Sequence, residues 1–80
     1  MPPIDPPDPR LAVAIKRLRE ERGLTQEDVA HGSGLSVSAY GRLERAATNP
    51  IWTTVVRVAD ALEVGLVELA HAVASDKRDP

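Results

Sequence analysis

Residues 25–45, TQEDVAHGSGLSVSAYGRLER, predict the element that decides the fold: two short helices joined by a glycine-containing turn. The Thr25 hydroxyl can accept a hydrogen bond from a free amide of the first helix, and Asp28 can return one, which makes a capping box. Glycine disfavours a helix interior and permits a left-handed turn, so the first helix is expected to end near residues 32–34. Ser36 can then cap the second helix.

The second helix of this unit, from Val37 to Arg45, has one apolar side. Tyr40 and Leu43 fall on that side with polar or small residues between them, a spacing typical of a helix with one side turned toward a core. A turn of only a few residues places the two helices at a steep angle. The stretch therefore predicts a helix-turn-helix unit.

Three further helices are predicted around this unit. Asp8 can cap a helix with Pro9 at its first position, and Asn49 with Pro50 repeats that start signal. In the helix after Pro50, we expect Trp52 in the core or at its edge. The three helices are predicted over about residues 9–22, 51–62 and 66–74.

The composition of the 80 residues favours packed helices. Phenylalanine is absent, and one tryptophan and one tyrosine are present, so the core must be aliphatic. Cysteine is also absent, which excludes a disulfide framework, and no apolar run approaches the roughly 18 residues of a membrane span. His31 and His71 stand far apart without further ligands at metal spacing. We therefore expect no metal, no cofactor and no catalysis.

The two ends of the chain differ from its middle. Proline occupies four of the first eight positions, which predicts a flexible proline-rich tail over residues 1–8. Residues 75–80 predict a charged, disordered tail. Between the tails, residues 9–74 predict one compact all-α domain of five helices, with the helix-turn-helix at residues 25–45.

Several motif residues at fixed offsets resemble the helix-turn-helix of the phage-repressor family, the Cro and lambda-repressor-like or XRE proteins. The pattern consists of Leu24-Thr25-Gln26-Glu27, Val29-Ala30, Gly34-Leu35-Ser36, Tyr40 and Leu43-Glu44-Arg45. The similarity covers roughly residues 10–70, although Ala46 stands where the family usually has glycine. The resemblance implies a lambda-repressor-like domain that binds a specific double-stranded DNA sequence as a small dimeric transcriptional regulator, with repression as the expected mode.

The same resemblance implies which residues contact DNA, because the second helix of such a motif lies in the major groove. Arg42 is the best candidate for reading a base, since its planar guanidinium matches the two acceptors of guanine. Gly41 is either simply tolerated in mid-helix or allows the helix to approach the groove closely. The predicted base contacts are Val37, Ser38, Gly41 and Arg42, and the predicted backbone contacts are Gln26, Arg45, Thr48 and Asn49.

Arg19 and Glu44 are predicted to form a structural ion pair, as the resemblance implies for these two positions. The physical argument agrees, because Glu44 follows Leu43 beside the core and an unpaired buried carboxylate would cost several kcal/mol. The alternative is two charges that are exposed independently.

The last predicted helix is more apolar than one small core is expected to cover. Exposed apolar patches usually mark partner surfaces. We therefore expect a two-fold homodimer, although the helix could instead pack entirely inside its own subunit. The predicted interface residues are Leu66, Val67, Ala70 and Val73.

The net charge of −2 argues mildly against a nucleic-acid partner, because phosphate binding favours a basic surface. If Glu44 is paired, however, the outward side of the second helix is positive. The alternative function is a protein-interaction module with a helix-turn-helix fold that does not bind DNA. We expect a cytoplasmic protein with no membrane contact and no small-molecule substrate, and a second protein could regulate it. The sequence does not distinguish a phage-type repressor from a restriction-modification controller or an antitoxin partner.

Overall fold

The computed structural model describes residues 6–75, and in that part of the chain the backbone forms five α-helices and no strand. The all-α prediction with five helices is therefore confirmed for this range. The parts of the tail predictions that concern residues 1–5 and 76–80 lie outside the described residues. The helices are α1 (Pro9–Glu21), α2 (Gln26–Ser33), α3 (Val37–Glu44), α4 (Trp52–Ala61) and α5 (Leu66–Ala74).

The helices surround one aliphatic core. Helix α2 packs against α3 and α4, while α1 packs against α3 and α5. The largest fully buried apolar side chains are Ile15, Val29, Tyr40 and Leu62, which come from α1, α2, α3 and the end of α4. Burying one such side chain stabilises the fold by about 1.5–3 kcal/mol. Helix α3 is therefore fixed by its inner side to a core that several helices share.

Arg22, which follows α1, connects this helix to the link between α4 and α5. Its Nε donates to the carbonyl oxygen of Leu62 at the end of α4, and its Nη2 lies 3.4 Å from the Glu68 carboxylate. The half-exposed pair with Glu68 contributes little. The bond to Leu62 matters more, because it satisfies one of the free carbonyl groups that every helix leaves at its end.

The start of α4 differs from the sequence prediction. The helix begins at Trp52, one residue after the predicted start. Its N-cap is Ile51, which makes no side-chain cap bond, so the predicted cap at Asn49 with Pro50 at the first helical position is wrong. Trp52 is 67% exposed in the first turn. The prediction of a core or core-edge position for Trp52 is therefore wrong, because α4 meets the core only from Val55 onward.

Helix α3 ends in a turn that proteins usually build with glycine. Ala46 takes the left-handed conformation with φ 55°. Its N–H donates to the carbonyl of Leu43 at 3.2 Å, and the N–H of Ala47 donates to the carbonyl of Arg42 at 2.9 Å. These two bonds form a Schellman motif. Alanine thus makes the turn for which the phage-repressor family uses glycine, at a cost of about 1 kcal/mol.

Candidate nucleic-acid interface

Side-chain caps fix where α2 and α3 begin. Thr25 Oγ1 accepts from the Asp28 amide at 3.0 Å, and Asp28 Oδ2 accepts from the Thr25 amide at 2.8 Å, which completes the capping box. At the start of α3, Ser36 Oγ accepts from the Ala39 amide at 3.0 Å. Each cap is worth about 1 kcal/mol. The first turn of α3 is thus held by bonds that its own sequence specifies.

The turn between α2 and α3 depends on Gly34. This residue has φ 72°, in the left-handed region that favours glycine. Its conformation brings the Leu35 amide to the carbonyl of Ala30 at 2.9 Å and so ends α2. Because only Leu35 and Ser36 separate this turn from α3, the direction of α3 relative to α2 is closely fixed.

The inner side of α3 carries a buried ion pair with α1. Arg19 Nε lies 2.6 Å from Glu44 Oε2, and Arg19 Nη2 lies 3.1 Å from Glu44 Oε1. The two side chains are only 12% and 3% exposed. Arg19 Nη1 also donates to the carbonyl of Leu24 at 2.9 Å. The predicted partners therefore lie together, and their contact joins α1, the α1–α2 link and α3.

Gln26 belongs to the same polar cluster, which the sequence did not indicate. Its Nε2 donates to Glu44 Oε1 at 3.0 Å, and the side chain is partly buried. Burial opposes the ionisation of Glu44, but its interactions with Arg19, with the nearby Tyr40 hydroxyl and with Gln26 outweigh burial and lower the pKa of the Glu44 carboxyl. The phosphate contact expected of Gln26 must therefore use the part of its amide that Glu44 leaves unoccupied.

Tyr40 lies beneath this cluster. Within residues 6–75 its buried hydroxyl finds no hydrogen-bond partner. Burial, with a smaller contribution from the Glu44 carboxylate, raises the pKa of Tyr40, so the phenol remains neutral. The inner side of α3 is therefore committed to the protein body and leaves only the other side for a ligand.

The outward side of α3 is exposed. Val37 is 45% exposed although it is apolar, and Ser38 and Arg42 are exposed beside it. Arg42 Nη1 lies 3.4 Å from Ser38 Oγ, one turn away, which is a weak contact. Three of the four predicted base-contacting residues thus share one open surface.

Gly41, the fourth of these residues, is buried rather than open. A Cβ atom added there would lie 3.0 Å from Arg45 Nη1, so the Arg45 guanidinium covers the glycine. Gly41 is therefore not exposed on the outward side of α3 in this arrangement, and its contact with a base stays a prediction. The sequence did not reveal the cover, because it depends on the rotamer of the Arg45 side chain.

The link between α3 and α4 continues the exposed surface. Thr48 is partly buried and Asn49 is exposed, and both line a groove that also includes Arg42 and Thr54. The link thus lies next to the outward side of α3. If α3 lay in the major groove of a duplex, Thr48 and Asn49 would be placed to contact the backbone of a neighbouring DNA strand.

The predicted interface residues of α5 lie along a second, apolar groove. Leu66, Ala70 and Val73 line it, and the exposed ring of Trp52 forms another part of its wall. Val67 is 72% exposed but is not part of this groove. The groove thus joins α5 to the start of α4.

Neither a metal site nor a membrane span is found within residues 6–75. No group of three or more His, Asp or Glu side chains there could hold a metal ion. None of the described helices is long and apolar enough to cross a bilayer.

Known proteins share this sequence pattern and this fold. A family model described as a helix-turn-helix domain matches residues 10–72. The uncharacterized HTH-type transcriptional regulator y4dJ of Sinorhizobium fredii is 49% identical over 53 residues, which cover 66% of this chain and 69% of the relative.

Solved structures with similar folds include the restriction-modification controller protein C.Esp1396I. A single-residue variant of it superposes with a TM-score of 0.83 at 29% identity, over 89% of this chain and 92% of that one. C.Esp1396I as a tetramer in complex with its natural 35 base-pair operator gives a TM-score of 0.79 at 29% identity, over 82% of this chain and 87% of that one.

Proposed function

This chain belongs to the helix-turn-helix domain family, and from that premise we propose that residues 9–74 form a small dimeric transcriptional regulator, a repressor that binds a specific double-stranded DNA sequence. One observation carries the proposal. The inner side of α3 is bound to α1 through Arg19 and Glu44, whereas its outward side exposes Val37, Ser38 and Arg42. A short helix held in this way suits insertion into a major groove.

Arg42 is the proposed principal reader of the sequence. Its guanidinium can donate two parallel hydrogen bonds to O6 and N7 of guanine, and such a contact discriminates by about 1–3 kcal/mol. The weak contact with Ser38 at 3.4 Å can be exchanged for the base at little cost. Ser38 can donate to or accept from a base edge, and Val37 can contact a thymine methyl group.

The charge distribution supports this assignment despite the net charge of −2. Between Val37 and Asn49 the only acidic residue is Glu44, and Arg19 neutralises it on the inner side. The outward side of α3 therefore carries the positive charge of Arg42 without a nearby acid. We propose that Gln26, Thr48 and Asn49 add contacts to the DNA backbone. Since few cations take part, the salt dependence for each subunit should be shallow.

A homodimer would supply the affinity that one small reading surface lacks. The apolar groove formed by Leu66, Ala70, Val73 and Trp52 is the proposed interface, with Val67 beside it. Two-fold symmetry would place two copies of α3 on half-sites roughly 34 Å apart. The structural relative C.Esp1396I binds its operator as a tetramer, which accords with an oligomeric reader. The proposed regulator acts in the cytoplasm and performs no catalysis.

Selection of bound duplexes from random DNA tests this function. The protein should enrich an inverted repeat with a guanine in each half-site, and Arg42→Ala should lower the preference for that guanine about tenfold or more. Arg17→Ala is the matched control, because Arg17 is an equally long, exposed cation on α1. It should leave the preference unchanged. Equal affinity for selected and random duplexes would overturn sequence-specific binding and favour a protein-interaction module.

A further inference from the structure

The Arg45 side chain occupies the space that a side chain at position 41 would need. A Cβ atom on Gly41 would lie 3.0 Å from Arg45 Nη1, 3.8 Å from its Cζ and 4.0 Å from its Nη2. The first distance is tighter than nine in ten Cβ contacts, so the guanidinium would have to move aside. The guanidinium therefore rests directly on the backbone of α3, and Gly41 is buried because Arg45 covers it.

This position places Arg45 beside the proposed base readers. Arg45 is the C-cap residue of α3, and its side chain extends back by one turn toward the start of the helix. Positions 37, 41 and 45 form one stripe along α3, and Ser38 with Arg42 forms the adjacent stripe. The Arg45 guanidinium consequently lies on the outward side of α3, at the level of Gly41 and next to Arg42.

A purely structural role does not account for this arrangement. Within residues 6–75 no hydrogen bond or ion pair holds the Arg45 side chain, and the residue is exposed. Glycine in a helix interior costs about 1 kcal/mol relative to alanine. Gly41 thus lowers the stability of α3, and the space it leaves is occupied by a cation that no described residue binds.

We propose that Gly41 makes room for the Arg45 guanidinium on the outward side of α3, so that Arg45 reads a second base of each half-site beside the one that Arg42 reads. This inference rests on the proposed function and assigns Arg45 to a base, whereas the sequence pattern assigns it to the DNA backbone. A planar guanidinium matches guanine best, so each half-site should contain a second G·C pair near the first. Gly41 acts through Arg45 as a positioning residue.

The experiment measures the affinity of the full chain for the selected duplex and for duplexes changed at one base pair at a time. Arg45→Ala should lower discrimination at one G·C pair by about ten- to a hundredfold and leave the other positions unchanged. Arg45→Lys keeps the positive charge but lacks the planar guanidinium that can donate two parallel hydrogen bonds. It should therefore lose the same discrimination while retaining the affinity for random DNA.

Gly41→Ala should reduce discrimination at that same pair, because its methyl group displaces the guanidinium. Its thermal midpoint should be unchanged or higher, since alanine favours a helix interior and the displaced atom is the end of a flexible side chain. The double variant Gly41→Ala/Arg45→Ala should bind no worse than Arg45→Ala alone, because the methyl group then has nothing to displace.

Two outcomes would overturn the inference. If Arg45→Ala lowers affinity equally for all sequences and reduces the salt dependence, Arg45 contacts a phosphate and not a base. If Gly41→Ala causes the same loss with and without Arg45, the methyl group itself obstructs the approach of the duplex. Either result leaves the proposed function intact as long as the protein selects a site through Arg42. A wild-type chain without any sequence preference would contradict the proposed function itself.

Discussion

The two halves of the domain, α2–α3 and α4–α5, are stabilised in different ways. Thr25 and Ser36 cap α2 and α3 with side-chain hydrogen bonds, whereas Ile51 and Gly65 precede α4 and α5 without such bonds. The first pair of helices therefore has its boundaries and directions fixed by local polar contacts. The second pair lacks these caps and depends more on apolar burial. The starts of the two helices in the proposed reading unit are therefore held by bonds within the chain, without a partner.

The exposed apolar residues are distributed just as unequally. Four large hydrophobic side chains are exposed within residues 6–75. Ile51, Trp52 and Val67 lie in or before α4 and α5, and the fourth, Val37, lies in α3. Burial is thus incomplete in the half that depends on it most. We infer that the second half gains stability from a second copy of the chain, while the first half does not need one.

Removing Glu44 should lower the stability of the protein more than any other change proposed here. It breaks the polar cluster that holds α3 to α1. In Glu44→Ala the Arg19 guanidinium, only 12% exposed, loses its counter-charge. Such a change typically costs about 3–5 kcal/mol. Urea unfolding should show the loss as a lower midpoint.

Glu21→Ala is the control for this variant. Glu21 pairs with Arg17 at 3.6 Å on the surface of α1, where the side chains are 53% and 54% exposed. This pair should contribute less than about 0.5 kcal/mol. Similar losses in the two variants would mean that burial of the Arg19–Glu44 pair has no special importance for α3.

Acid should weaken the same cluster without removing any atom. The pKa of Glu44 in the folded protein lies below its ordinary value of 4.5, so folding favours the ionised carboxylate. The stabilisation is fully present above that ordinary value and is lost as the pH falls through the lower, folded pKa. Unfolding at pH 6 and pH 3 should show a smaller pH dependence in Glu44→Gln than in the wild type. Equal pH dependence would exclude Glu44 as a contributor.

In the other half, Trp52→Ala should weaken the homodimer about tenfold or more, because exposed aromatic residues often dominate interfaces. Ile51→Ala is the matched control. Ile51 is the adjacent residue and is as exposed as Trp52, but it lines the groove next to Arg42 instead. Sedimentation equilibrium would give the dissociation constants. If both variants dimerise like the wild type, the interface lies elsewhere.

The smallest effects should come from exchanging the caps. Ser36→Ala removes the bond to the Ala39 amide and should cost about 1 kcal/mol. Ile51→Ser should add a similar amount, because Ile51 already has the extended backbone of an N-cap and its side chain is 71% exposed. Thermal unfolding would measure both changes. A loss of stability in Ile51→Ser would show that Ile51 contributes more by packing than a cap could add.

The sequence predicted the α2–α3 half well because its signals are local. Thr25, Gly34 and Ser36 act on neighbours within a few residues, so their effect is visible in a short window of sequence. The cap of α4 was mispredicted because a local sequence signal was misleading there. The dipeptide Asn49-Pro50 resembles a helix start, yet Ile51 is the cap.

The parts of the site that could not be predicted depend on contacts between distant residues or on the conformation of a single side chain. The bond from Gln26 to Glu44 spans 18 positions and needs the tertiary fold to bring the two together. The proximity of Arg19 to Glu44 was expected only from the family resemblance and from the cost of a lone buried charge. The cover of Gly41 by Arg45 depends on one rotamer, which no sequence pattern specifies.

The central claim is that the outward side of α3 contacts DNA while its inner side remains bound to the protein. An NMR titration of the labelled chain with its selected duplex tests this most directly. We predict the largest amide shifts over residues 36–42 and 45–49 and at Gln26, with small shifts throughout α1. Large shifts confined to α4 and α5, with the amides of α3 unchanged, would contradict the account.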